Sequence, residues 1–333
     1  MSGKKTPKYA LLMLMALFIY TLLYTRPLSA GNLEPSAPPG PTMKTLDEVE
    51  PKIPISSLPF TISSSGSYYL TGDLNTTDKG ITINADNVTI DLMGYSLIGP
   101  GSGEEYGINF MEKSNIEIRN GTIRNFGRAG IYEPSTGSGG KHRVIGVRVL
   151  SNGSYGGIIL ASPGCLVKDC LVCDNQGNGI VTYGYSTITG NNVSYNQQDG
   201  ISVNNYNTVT GNNSFYNQGN GITALQGSTI TGNTTSRNQQ CGILAGVGST
   251  VMGNTADFNQ QSGIWADGYG IVIGNSASNN NKADLPNHAG IHVTSYCLVK
   301  SNAFCSNLQN NIYVFLRGNA IEENIIASVH PRI

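Results

Sequence analysis

Charge is scarce in this chain. Lysine, arginine, aspartate and glutamate make up 12% of its 333 residues, and 20 basic against 21 acidic residues leave a net charge of −1. That charged fraction is about half the share usual for a soluble domain. A balance of this kind excludes a surface built to grip nucleic acid or an anionic membrane by charge. Intrinsic disorder is excluded as well, because 39% of residues are apolar and disordered chains combine low hydrophobicity with high net charge. Acidic pairs are missing where a glycosidase would need them. Between Asn175 and Asn281 the charged residues are Asp199, Arg237, Asp257 and Asp267, too few for two carboxylates flanking a glycosidic bond.

What is present begins with an address. Lys4, Lys5 and Lys8 precede an uncharged apolar run from Tyr9 to Tyr24, ended by Arg26 and Pro27, with the small residues Ser29 and Ala30 before Gly31. A basic start, a short apolar run and a small-residue site predict a signal peptide over residues 1–30. The run is also near spanning length, so an uncleaved signal anchor, and with it a membrane tether, stays open. Either reading exports the remainder to the periplasm, the cell surface or the medium. Pro35, Pro38, Pro39 and Pro41 mark residues 31–42 as an extended linker.

One repeat organises the rest. Gly-Ile occurs at Gly80, Gly107, Gly130, Gly157, Gly179, Gly200, Gly221, Gly242, Gly263 and Gly290, and Asn311-Ile312 continues the series. The intervals are 27, 23, 27, 22, 21, 21, 21, 21, 27 and 21 residues, so a fixed unit carries loops of added length. Ser186-Thr187-Ile188-Thr189-Gly190-Asn191 returns in the next unit with its first and third residues changed, and in the unit after that unchanged. Asparagines fall into two registers, one through Asn191, Asn212, Asn233, Asn254, Asn275 and Asn302, the other from Asn175 to Asn307. No unit contains a helix-length amphipathic run. Its Ile, Val and Thr stretches, separated by Gly, Asn and Ser, predict three short strands and three turns. Stacked coils then place isoleucine on isoleucine inside and asparagine on asparagine in amide ladders.

These Gly-Ile units with asparagine ladders resemble the right-handed parallel β-helix repeats of the pectin-lyase-like superfamily, over roughly Ile81 to the C-terminus. The resemblance implies an all-β solenoid of about eleven coils with capped ends. Residues 43–79 would form an N-terminal cap (with a short helix over Met43–Glu50) and the first strands, with Tyr68-Tyr69-Leu70 opening the rungs. Residues 80–318 would form the helix and 319–333 a C-terminal cap. Proteins of this fold include pectate lyases, polygalacturonases, alginate lyases and epimerases, phage tailspikes, adhesins and periplasmic carbohydrate-binding proteins. The Asn-Thr-Asp, Asp-Asp and Gly-His-Gly strings of polygalacturonases are absent, as is the Asp-Pro-His-Glu of mannuronan epimerases.

Three groups of residues are candidates for chemistry. Charge concentrates between Glu104 and Arg148, where Arg119, Arg124, Arg128, Lys141, His142 and Arg143 would supply the base and the positive charge that a polyuronate lyase or epimerase needs, with calcium as a cofactor in the lyase case. The loops from Gly99 to Tyr106 and from Glu133 to Gly140 are expected to wall a groove there. The plainer reading is a salt-bridged surface. A second group is an aromatic line. Tyr195, Tyr216, Arg237 and Phe258 share one position in successive coils, each before a ladder asparagine, and Tyr185 and Tyr206 share another, with Tyr269 and Tyr296 at the same place later. Alternation points the first line outward, where rings suit sugar faces or simply stabilise the stack. Third, Asp284, His288 and His292 lie in a long interval and are weak candidates for a metal or for acid–base use. The equivalent Cys165 and Cys297 are several coils apart, so packed thiols are expected in place of disulfides. The favoured function is binding of a polysaccharide along the long face. A polyuronate lyase or epimerase, and a surface spacer or adhesin, are the alternatives.

Overall fold

The computed structural model describes residues 13–20, 52–134 and 139–326. The chain divides into two compact units, residues 1–51 and 52–333. In the first, residues 13–20 are helical with exposed side chains. Among the described residues no helix is long and apolar enough to cross a membrane. The predicted leader boundaries, the Pro-rich linker and the capping helix over Met43–Glu50 lie outside the described residues.

The second unit is a parallel β-helix. A typical coil holds three strands, Thr187–Thr189, Asn192–Ser194 and Ile201–Val203, and each pairs in parallel with its counterpart 21 residues on. The third strands form a twelve-stranded parallel sheet running from Phe60–Ile62 to Asn310–Val314. The other two strand lines join into a 23-stranded sheet, because Ile116–Arg124 and Arg143–Leu150 run through both positions without a break. The stack has one coil more than the Gly-Ile series shows. Phe60–Ile62 pairs with Ile81–Ile83 but follows Pro59, so the dipeptide misses it. Lys52–Ile55 already pairs with Gly66–Leu70, so strands begin before Tyr68. At the other end Ala320–Glu322 and Ile325–Ile326 continue both lines past residue 318, and residues 327–333 lie outside the described ones.

The repeat follows from contacts that recur in every coil. Ile180, Ile201, Ile222, Ile243 and Ile264 stack with no exposed surface. The glycine before each isoleucine is required by crowding: a Cβ on Gly179 would lie 2.6 Å from the Gly200 carbonyl oxygen and 2.8 Å from the Asn196 amide nitrogen. Both asparagine registers are buried ladders. From Asn191 to Asn324 each Nδ2 donates to the next Oδ1 at 2.9–3.0 Å, and that oxygen also accepts the preceding asparagine's backbone N–H. The second ladder starts at Asn152, one coil earlier than the sequence register. It runs to Asn307 at 2.9–3.2 Å. Buried amides of this kind contribute only when every donor and acceptor is matched, and here they are.

Candidate functional site

From Ile81 to Ile291 the strands of the twelve-stranded sheet bury the isoleucine of the Gly-Ile pair, and the residue after it takes the outward position. Along that outer face stand Tyr132, Ile159, Val181, Leu244, Trp265 and Tyr313, all partly buried. At the early end three tyrosines and one arginine gather. Tyr106 and Tyr132, on neighbouring strands, stack at 4.5 Å between ring centres with a 9° interplanar angle. Tyr155 leans on Tyr132 at 5.3 Å. The Arg128 guanidinium lies 4.2 Å from the centre of the Tyr155 ring and 5.5 Å from that of Tyr106, and it donates to the Tyr155 hydroxyl. Glu104, on the loop before this sheet, pairs with Arg128 at 3.2 Å while staying 79% exposed. Burial pushes the Tyr106 phenol up to about 12, against the pull of Arg128, and burial raises Tyr132 too. These phenols stay protonated at neutral pH. They offer donors to a ligand, beside a cation held in place by two ring faces.

The six early charged candidates do not converge. Arg119 bonds Asp91 at 3.0 Å and Glu117 at 3.1 Å, and Arg143 bonds Glu117 at 2.7 Å, all on the 23-stranded sheet. Arg124 is exposed at the end of its strand in that sheet. Lys141 is exposed in a left-handed turn, with φ 60°. His142 is interior, 1% exposed: Nδ1 accepts the Ile116 N–H at 3.2 Å and Nε2 donates to Glu133 at 3.2 Å. Glu133, fully buried, also takes the Ser162 N–H and hydroxyl. Of the six, Arg128 adjoins the twelve-stranded face. The loop expected on the far side falls partly on residues 135–138, outside the described residues. Sequence reasoning missed Tyr106, Tyr132 and Tyr155. Reading the residue after each Gly-Ile would have shown Tyr132 and Trp265 at one repeating position.

The aromatic line does point outward, but from left-handed turn residues just past the strands and not by strand alternation: φ is 56° at Tyr195 and Tyr216, 53° at Arg237 and 55° at Phe258. Tyr195 and Tyr216 stack at 5.1 Å and 5°, Tyr185 and Tyr206 at 5.5 Å and 16°, and Tyr269 and Tyr296 at 5.3 Å and 9°. Arg237 lies 5.6 Å from Tyr216 and 5.2 Å from Phe258, and Lys282 caps Phe258 at 5.0 Å. Rings stacked along the axis cover one another's faces, so a ligand meets their edges and hydroxyls.

In the long late interval His288 Nδ1 lies 3.2 Å from the Ser262 hydroxyl, His292 Nδ1 donates to the Asn287 carbonyl at 2.6 Å, and Asp284 accepts from Gln309 at 2.9 Å. Each faces a different partner. Among the described residues no group of three or more His, Cys, Asp or Glu gathers as a metal site. The early carboxylates Asp91, Glu104 and Glu117 are held by arginines, which does not fit a calcium site. The six cysteines are free, and burial pushes Cys165, Cys173 and Cys241 up to about 12 and Cys170 to about 11.

The stacked parallel coils form a right-handed parallel β-helix, and the family model described as "right handed beta helix region" matches residues 74–234. Among solved structures, the chain is similar to the A-module of the Azotobacter vinelandii mannuronan C-5 epimerase AlgE6, at TM-score 0.57 and 17% identity, covering 80% of this chain and 88% of that one. It is similar to the Dettilon tailspike protein (TM-score 0.59, 17% identity, 83% and 61% covered) and to the periplasmic alginate epimerase AlgG (0.53, 13%, 80% and 76%). At these identities the likeness is one of fold. No curated protein matches the sequence.

Proposed function

We propose that this is an exported protein that engages an acidic polysaccharide along the outer face of its twelve-stranded sheet, with Arg128 receiving a uronate carboxylate. The arginine–tyrosine cluster carries the reading. A guanidinium backed by the Tyr106 and Tyr155 rings, and ion-paired among the described residues only with an exposed Glu104, can exchange that partner for a ligand carboxylate. Neighbouring phenol donors suit sugar oxygens. The tyrosine columns from Tyr185 to Tyr216 add hydroxyl edges on other walls. The basic start and apolar run of the leader support export.

A catalytic form of the same reading is C5 chemistry on uronates, as an epimerase or lyase, and the two epimerases among the solved relatives support it. The purified protein should retain alginate or pectate in a pull-down, and Arg128→Ala should weaken retention about tenfold or more, the worth of one charge-assisted bond. Absorbance of unsaturated uronate would identify a lyase, and a changed epimer ratio by proton NMR an epimerase. Binding that ignores Arg128→Ala would overturn the site. Silence with every glycan would leave the spacer reading standing.

A further inference from the structure

The long interval between Gly263 and Gly290 inserts a loop whose end meets the outer face of the twelve-stranded sheet, where Asn287 bonds His292 and the His288 ring lies 5.6 Å from that of Trp265. There His292 is 1% exposed although it occupies an outward-facing position. Its ring is stacked on Trp265 at 3.6 Å and 11°, and Tyr313 lies over it at 5.0 Å with a 42° tilt. Asn287 accepts the Nδ1 proton at 2.6 Å, which fixes the tautomer and leaves Nε2 as a bare lone pair. That atom is buried and has no hydrogen-bond partner among the described residues. An unmatched buried acceptor is costly, and a ligand donor is one partner that would relieve it. A carboxylate stands beside the stack. Asp267 accepts the indole N–H of Trp265 at 3.1 Å through Oδ1, and its Oδ2 has no partner among the described residues.

We infer that Trp265, His292 and Asp267 form a second subsite, for a neutral sugar, in which His292 Nε2 and Asp267 Oδ2 accept ligand hydroxyls beside the aromatic stack. The chemistry selects the class. Both open positions are acceptors, so the ligand must bring donors, and Asp267 repels a uronate carboxylate. Burial holds the His292 imidazole below its ordinary value, so the lone pair persists at neutral pH. Phe315 stands beside the stack, 59% exposed with its ring 6.4 Å from that of His292. In the sheet order Trp265 lies six coils and His292 seven coils from Tyr132, about 29–34 Å at the usual strand spacing. The inference does not rest on Arg128.

Trp265 is the chain's single tryptophan, so its fluorescence reports this site alone. Cellohexaose, laminarihexaose and maltohexaose, titrated separately, should give a saturable emission change with at least one. Arg128→Ala should leave that change intact. His292→Phe keeps the stack and removes the lone pair, and should weaken binding about tenfold. The nitrogen-15 resonance of His292 Nε2 in the unmutated protein gives a readout that needs no variant, and it should move from its lone-pair position when the sugar is added. No saturable change with any of the three probes overturns the inference, as does a His292→Phe protein that binds as the parent does, or an Nε2 resonance that stays put. If alginate retention persists while Trp265 stays silent, this subsite fails and the Arg128 site stands.

Discussion

Each ladder asparagine spends its whole side chain on neighbouring coils. Asn233 takes the N–H and amide of Asn212 on Oδ1, and donates to the Val209 carbonyl and to Asn254. Asn233→Ala therefore strands several buried polar groups at once and should cost about 3 kcal/mol or more, read as a lower urea midpoint. The histidines give a pH dependence with a definite sign. Burial lowers both His288 and His292, so the folded state prefers them neutral. Their contribution is fully present above about pH 6.5 and is lost as pH falls through the lowered folded values. Melting temperature should drop between pH 7 and pH 5, and His292→Phe should flatten part of that drop. The thiols follow from burial too. Fewer than six should react with Ellman's reagent in the native protein, and all six after denaturation.

At the scale of the coil, glycine does two jobs that substitution can separate. A Cβ on Gly221 would meet the Gly242 carbonyl oxygen at 2.6 Å and the Asn238 amide at 2.7 Å, whereas Gly211 has a left-handed φ of 64° and nothing within 4 Å. Gly211→Ala should cost about 1 kcal/mol in backbone strain, and Gly221→Ala clearly more, by the same urea titration. This explains what could be read from the sequence. Gly-Ile and the asparagine registers repeat because each meets its own copy in the next coil, so a contact constraint becomes a period. Phe60–Ile62 forms a coil without that dipeptide: Pro59-Phe60 stands 21 residues before Gly80-Ile81, at the spacing of the repeat, but carries neither of its residues. The residue after each isoleucine faces away from the core, so it is free to vary from Tyr132 to Val181 to Trp265 and hides in plain view.

For the whole molecule, the fold was legible and the site only in part. Which wall a charge faces depends on where each strand line turns, and a cluster in the sequence spreads over a coil's perimeter. Arg119 and Arg143 consequently meet Glu117 on one sheet while Arg128 meets tyrosines at another. His142, placed in an inward column, became a partner for buried Glu133. Polyuronate retention through Arg128 should fall between 50 mM and 500 mM salt, since screening weakens an exposed charge contact. Loss of the neutral-sugar fluorescence change should not follow the same salt dependence.

The amide ladders also have a direction. In both columns every Oδ1 faces the preceding coil and one Nδ2 hydrogen the Oδ1 of the following one, while the other Nδ2 hydrogen turns back to a backbone carbonyl. The side-chain dipoles add head to tail, as peptide dipoles do along a helix, so the cylinder is polarised from end to end. Its last coils are the positive pole, and there Glu322 and Glu323 sit around Lys300. The two ends of the stack are electrically distinct before any ionised side chain is counted.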